Sequence, residues 1–237
     1  MIFDSECKVV PLNVKCSDII LSPRAAGYFM HEILGHPMEI DFVEKGQSLY
    51  CINDIGTVVL PDFVTITEKP EDMKKLGIDF SQYDDMGMEL KYKKLIHNGK
   101  LMNFIDNKRC QRLDNLCLPR MFNLCLEPNV AGRNYDEIIS ASENAIAIDE
   151  VIAGNYNYIT KKYSLMCTKA KLVKCGKVIG MIEKLVLEDD IESLREKITE
   201  VGRDMECTIG KCSKQGQIVT VGMTSPTICL SNVYVGG

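Results

Sequence analysis

As a pattern of apolar and polar positions, the chain opens with sixteen residues that show no clear period. Asp18-Ile19-Ile20-Leu21 follows as a short apolar run behind one acid, too brief to assign as a strand by itself. At Ser22 the pattern changes. A serine followed by proline is a helix start: the hydroxyl accepts an N–H of the first turn, and proline at the first position forfeits no needed donor. The predicted helix runs through Ala25, Ala26, Tyr28, Phe29 and Met30, with Gly27 allowing close backbone approach. Between 47 and 66, runs such as Thr57-Val58-Val59-Leu60 and Phe63-Val64-Thr65-Ile66 predict strands, broken by Asn53, Gly56 and Pro61. Lys93 to Ile105 predicts a hairpin turning at His97-Asn98-Gly99-Lys100, and Leu165 to Ile179 a second one turning at Cys175-Gly176. Asn134-Tyr135-Asp136-Glu137 has the spacing of a capping box and predicts a helix to about Ala147. Asp190 to Val201 predicts another, with an acidic start and a stop at Gly202. Gln217 to Val221 and Thr227 to Val235 return to strand around Pro226. The sum is an α+β fold, a β-rich domain with one short helix near the N-terminus and two further helices.

Composition narrows the class. The 237 residues are 46% hydrophobic, with charge spread throughout, so a packed core is expected and bulk disorder is not. A net charge of −5 gives no support to a dedicated nucleic-acid binder. The main basic concentrations, Lys161-Lys162 and Lys169 through Lys177, read as solvated strand faces. No apolar run reaches the length of a membrane span and no charged-then-apolar leader opens the chain, so no membrane association and a cytoplasmic location are expected. The eleven cysteines are scattered, odd in number and never spaced Cys-x-x-Cys. They read as reduced thiols, several of them small core residues, which leaves some free to bind metal.

The chemistry concentrates in His31-Glu32-Ile33-Leu34-Gly35-His36, which holds two of the chain's three histidines. Neutral imidazoles suit Zn²⁺, and a carboxylate one residue along can take a proton from an attacking water. The spacing departs from the common His-Glu-x-x-His. In a regular α-helix, position i+5 lies roughly 140° round from i. His31 and His36 can therefore meet at one ion only if the helix widens into a π-type turn or ends before His36. Gly35 and Pro37 flank His36, and either permits that irregularity. The third histidine, His97, reads as a turn residue. A catalytic zinc site keeps about three protein ligands, so the third must come from elsewhere. Cys212 is the strongest candidate, in a predicted glycine-bounded loop, Gly210 to Gly216, where neighbouring lysines favour the thiolate. Cys207 is its rival.

The stretch from His31 to Asp41 resembles the signature of the TldD/PmbA family of metallopeptidases, in its TldD-type catalytic branch. Further segments match in the same order: Leu95 to Leu101, Pro119-Arg120-Met121-Phe122-Asn123, Glu137-Ile138-Ile139, Gly210 to Gly216, Ser225-Pro226-Thr227 and Val233 to Gly237. The resemblance spans residues 18–237 and marks 1–17 as a lead-in. It implies zinc held by His31, His36 and Cys212, Glu32 as general base, and small or unfolded peptides as substrates, bound as an added β-strand. Glu39 and Asp41 match the signature's acidic positions, with a role in orienting the imidazoles. It also implies a homo- or heterodimer with a TldD/PmbA-type subunit. The alternative within the family is a non-catalytic subunit that assembles with a partner and holds peptide, a branch that lacks these ligands. Two departures stand out. Family members carry a domain ahead of the histidine helix, so this chain is either a gene fragment or a short form completed by a partner. The family's glycine-rich segments are replaced here by Tyr50 to Asp54 and by Gly154-Asn155-Tyr156-Asn157, so peptide binding is expected to differ.

Overall fold

A computed structural model describes residues 8–12, 14–78, 81–111 and 116–236, the side chain of Gln111 excepted. Residues 1–7 of the lead-in, and residue 13, lie outside the described residues. Two six-stranded sheets dominate. The first contains β1 (Cys16–Leu21), β8 (Asn144–Asn157), β9 (Lys162–Lys174), β10 (Lys177–Asp190), β11 (Ile198–Val201) and β14 (Ile228–Gly236). Its order is β1-β8-β9-β10-β14-β11, and β14 also pairs with β1, so five of the strands form a closed ring. Among the described residues, the β1–β8 pair is the only parallel one in this sheet. The second sheet runs β12 (Glu206–Lys214), β13 (Gln217–Ser225), β7 (Asn123–Leu126), β2 (Ile66–Glu68), β3 (Lys93–His97) and β4 (Lys100–Leu101). A separate hairpin pairs β5 (Lys108–Gln111) with β6 (Leu116–Pro119).

The turns are those the sequence asks for. Asn98-Gly99, Cys175-Gly176 and Gln215-Gly216 each place two successive residues at positive φ. That is the twist-matched connection of a two-residue hairpin. The capping box at Asn134 forms, with Asn134 Oδ1 accepting from Glu137 N and Glu137 Oε2 accepting from Asn134 N, both at 2.9 Å.

The helices are shorter than their patterns predict. α3 (Tyr135–Ala141) stops six residues early because Asn144 opens β8. There Ala145 to Ile148 are all buried, and burial on both faces erases the alternation that would have marked a strand. The predicted helix from Asp190 to Val201 divides into a 3₁₀ turn at Ile191–Ser193, one turn of α4 (Leu194–Lys197) and β11. Ile198 and Val201 are buried where β11 pairs with β14, so sheet burial wins over the capped pattern. Of the strands predicted between 47 and 66, only Ile66 enters one; Val58 makes a single bridge to Lys100. Asp18 to Leu21, in contrast, forms the greater part of β1.

Between the sheets lies the histidine helix, α1 (Pro23–Phe29). It packs on β8 of the ring on one side and on β12 and β13 of the second sheet on the other. Ser22 caps it as predicted, Oγ accepting from Ala25 N at 3.3 Å, with Pro23 at its first position. Ala25, Ala26, Phe29, Met30, Ile33 and Leu34 are buried in one continuous core with residues of both sheets. Among the described residues, no helix is long and apolar enough to cross a membrane.

Candidate metal centre

After Phe29 the helix changes its winding. Met30–Gly35 is a π-helical turn, and the amide of His36 donates to the carbonyl of His31. That i+5 bond joins the two histidines themselves. The extra residue per turn removes the offset that an α-helix would impose, and their rings lie edge to face with centroids 4.8 Å apart. The cause is visible on both sides. A Cβ on Gly35 would lie 2.3 Å from Met121 Sδ and 3.0 Å from Leu124 Cδ2, so glycine lets this turn press against the chain entering β7 with those side chains where they stand. Pro37 has no amide to continue the ladder, and His36–Met38 tightens into a 3₁₀ turn before α2 (Ile40–Glu44).

Cys212 comes from β12, not from the predicted loop; it pairs opposite Val219 in a regular antiparallel ladder. Its Sγ lies 3.3 Å from His36 Nε2. Ligand atoms of His31, His36 and Cys212 all fall within 4.8 Å of one another. Cys207 sits five residues away on the same strand, an odd step that turns it to the opposite face. It is exposed there, with Sγ 2.7 Å from Thr224 Oγ1. His97 ends β3 beside the Asn98-Gly99 turn and is not part of the cluster. The lysines near Cys212 are engaged elsewhere: Lys211 Nζ donates to Thr220 Oγ1 at 2.6 Å, and Lys214 Nζ turns to Glu39 and Asp41. The expectation of uniformly reduced thiols is corrected at one pair. Cys110 and Cys117 stand directly opposite in the β5–β6 hairpin and form a disulfide, a pairing set by local register.

Glu39 is wholly buried and accepts from His36 Nδ1 at 2.8 Å. A carboxylate there fixes the tautomer of His36 and leaves Nε2 facing Cys212. Asp41 does not touch an imidazole; its Oδ1 accepts from Lys214 Nζ at 2.6 Å. Burial, with added pressure from His36 and Arg120, holds the His31 pKa well below the usual value, so this imidazole is neutral with its lone pair available. Its Nδ1 is buried without a hydrogen-bond partner. Burial also depresses His36, but hydrogen bonds with Cys212 and Glu39 outweigh it and carry the pKa up to about 10. A cation held at Nε2 would take the place of that proton, so binding would be favoured by higher pH. Two imidazoles and a sulfur suit a borderline-soft cation, and Nε2 and Sγ already stand 3.3 Å apart. The residues fit a metal ion.

Glu32 stands next to this cluster, its Oε2 4.0 Å from His36 Nε2. Burial raises its pKa, opposed by His36 and reinforced by Glu39. It borders an open cleft of ≈ 340 Å³, whose walls include His36, Phe42, Gly154, Tyr156 and Gln215.

Comparison with known proteins follows the same lines. The PmbA/TldA metallopeptidase C-terminal domain matches residues 15–237. The chain belongs to that family. A metalloprotease TldD homolog of Buchnera aphidicola is 28% identical over 236 residues, covering 92% of this chain and 48% of the relative. A zinc metalloprotease TldD homolog of Saccharolobus solfataricus is 26% identical over 235 residues, covering 92% of this chain and 51% of the relative. The crystal structure of TldE from Thermococcus kodakarensis superposes with a TM-score of 0.77 at 17% identity, covering 97% of this chain and 52% of that one, a likeness of fold. The chain spans about half the length of the curated relatives it matches.

Within this PmbA/TldA domain, sequence reasoning missed the buried polar residues behind the cluster. Nothing in the apolar and polar pattern marks Arg120 or Gln217 for a role, and Lys214 faces the acids rather than the Cys212 thiol. All three side chains are buried: Arg120 donates to Cys212 O, Gln217 accepts from Arg120, and Lys214 donates to Glu39 and Asp41. The one available signal was position: Arg120 lies in a family-like segment, and Lys214 lies two residues beyond Cys212, on the same strand face. Gly154 stands in sequence as the remnant of a glycine-rich run. A Cβ there would lie 2.5 Å from Glu32 Cγ.

Proposed function

We propose that this chain is the catalytic half of a zinc-dependent peptidase acting on small or unfolded peptides. The observation that carries the reading is the π-turn, which brings His31 and His36 to one point beside Cys212 with Glu32 at the edge of the cleft. His31, His36 and Cys212 would hold the ion. A bound zinc supplies Lewis acidity to a scissile carbonyl and makes a water nucleophilic near neutral pH. Glu32 is the general base: its carboxylate takes a proton from the attacking water and returns it to the leaving amine. Its raised pKa suits that exchange, since a base poised nearer neutrality can also give the proton back. Glu39 acts indirectly, holding His36 Nδ1 so that Nε2 keeps its aim.

The cleft also suits an extended peptide. Its walls include Gly154 to Tyr156 of β8 and Ser213 and Lys214 of β12. Among the described residues β12 pairs only with β13, and β8 beyond Ile148 pairs only with β9, so each offers an unpaired edge. Main-chain hydrogen bonds to such an edge hold a peptide without regard to most side chains. Relatives named TldD, PmbA and TldE support assembly with a second copy or a sister subunit of this family.

The deciding measurement is zinc per chain by elemental analysis of wild type, His31→Ala and Cys212→Ala. Near one zinc in wild type, lost in both variants, is expected. A wild-type chain that stays empty when supplied with zinc overturns the reading in favour of a non-catalytic subunit.

A further inference from the structure

The guanidinium of Arg120 takes no part in the reaction as described, yet it is wholly buried between the two elements that carry the ligands. Its backbone is held firmly. Arg120 N donates to Asn107 O at 2.9 Å, and two residues on, Phe122 N and Asn123 N both donate to the buried carboxylate of Glu68. From this anchored segment the side chain spreads in three directions. One terminal nitrogen donates to Cys212 O at 2.9 Å. The other donates to Gln217 Oε1 at 2.8 Å and to Gln217 O at 3.2 Å. Nε faces Glu39 Oε1 across 3.9 Å, and these two atoms are buried with no hydrogen-bond partner of their own. The second oxygen of Glu39 receives His36 Nδ1 and Lys214 Nζ.

One side chain thus links the carbonyl of the cysteine to the carboxylate that orients the histidine. We propose that Arg120 is a positioning residue for the metal centre, setting β12 against the histidine turn so that Cys212 Sγ and His36 Nε2 converge on one ion. The inference rests on the metallopeptidase reading. If packing alone were needed, an apolar side chain would fill this site at lower desolvation cost. What only arginine supplies is a rigid planar fork that binds two acceptors while keeping a charge toward a third group. Lysine, a single point charge on a flexible stem, keeps the charge next to Glu39 but cannot span Cys212 O and Gln217 together.

The test is Arg120→Lys in the 237-residue chain, measured in three ways: thermal unfolding without metal, zinc affinity by competition with a chelator, and the thiolate-to-cobalt absorption after loading with Co²⁺. The expected result is a folded variant whose zinc Kd rises about 10- to 100-fold and whose thiolate band weakens, the range seen when groups supporting metal ligands are lost. A merely structural role would lower the metal-free unfolding temperature and leave Kd and band unchanged, which overturns the proposal. Should Arg120→Lys fail to fold, Gln217→Leu decides instead. It removes the side-chain acceptor of the fork at similar volume, and an unchanged Kd and cobalt band there overturn the proposal equally. A wild-type chain that takes up neither ion overturns the metal reading itself, so the two failures are distinct.

Discussion

Gly154→Ala adds one carbon where β8 crosses the histidine turn. The new Cβ would lie 2.5 Å from Glu32 Cγ, 2.9 Å from Glu32 Cβ and 2.9 Å from Leu165 Cδ2. Ordinary carbon contacts are about 3.5–4.0 Å, so the overlap is about 1 Å. Glu32 Cβ is fixed to the π-turn and Leu165 is buried in the core, so neither yields freely. The strain is relieved by swinging the Glu32 side chain away or by parting β8 from the helix. Overpacking of this kind costs about 1–3 kcal/mol of stability. A shift of about 1 Å in a catalytic group costs about 10²-fold in rate, equivalent to about 2.7 kcal/mol of barrier. The assay pairs kcat/KM on a mixture of unfolded peptides with zinc content and thermal unfolding. Zinc content is expected to stay at the wild-type level because the crowding falls on Glu32 and Leu165 rather than on the three proposed ligands, while kcat/KM falls about 10²-fold. Wild-type kcat/KM in a variant that is folded and loaded would refute both the tight crossing and the demand it places on Glu32.

Glu32→Gln is expected to keep its zinc and lose peptide hydrolysis, because the base is removed while the three ligands stay; equal turnover would remove Glu32 from the mechanism. His97→Ala should change neither zinc content nor activity, and a loss of zinc on elemental analysis would contradict its placement outside the cluster. Glu68 gives a pH prediction. Burial pushes its pKa up from 4.5 to about 7 against the pull of the Phe122 and Asn123 amides. The folded state therefore binds this proton more tightly than the unfolded one. Its contribution is full below about pH 4.5 and is lost as pH rises to about 7, a loss on the order of 3 kcal/mol. Glu68→Gln stays neutral and keeps an acceptor for both amides, so urea unfolding should show a smaller fall in stability across that window; an unchanged pH slope would remove Glu68 as its source.

The readable parts of this fold are those decided within a few residues. The Ser22-Pro23 start, the Asn134 capping box and the Asn98-Gly99 and Cys175-Gly176 turns each settle their own conformation, and each appears as read. Parts decided by distant partners were misread. The helix after Asn134 ends where β1 and β9 recruit the next residues into the ring, and β11 forms because β14 is there to pair with it. Arg120 belongs to the same class. Its partners, Cys212 and Gln217, lie more than ninety residues further along the chain, and nothing local marks an arginine as buried.

The proposed ligand set shows why spacing has meaning only with the element that carries it. His31 and His36 are five residues apart, and so are Cys207 and Cys212. On the histidine turn, five residues is the π repeat, and the two side chains arrive at the same place. On β12, five residues is an odd number of steps, and the two thiols are sent to opposite faces. The histidine spacing could be read as a demand for irregular winding because Gly35 and Pro37 sit beside it to permit that winding. The choice between the cysteines is not decided by the local signs read for Cys212, because the glycine-bounded segment is a strand and its lysines are engaged elsewhere. It was made by the register of β12 on β13, which pairs Cys212 with Val219 and thereby directs it, not Cys207, toward the helix. A one-residue slip of that register would turn Cys212 away from the helix. Arg120, which donates to Cys212 O of β12 and to Gln217 O of β13, ties the two strands together at this point.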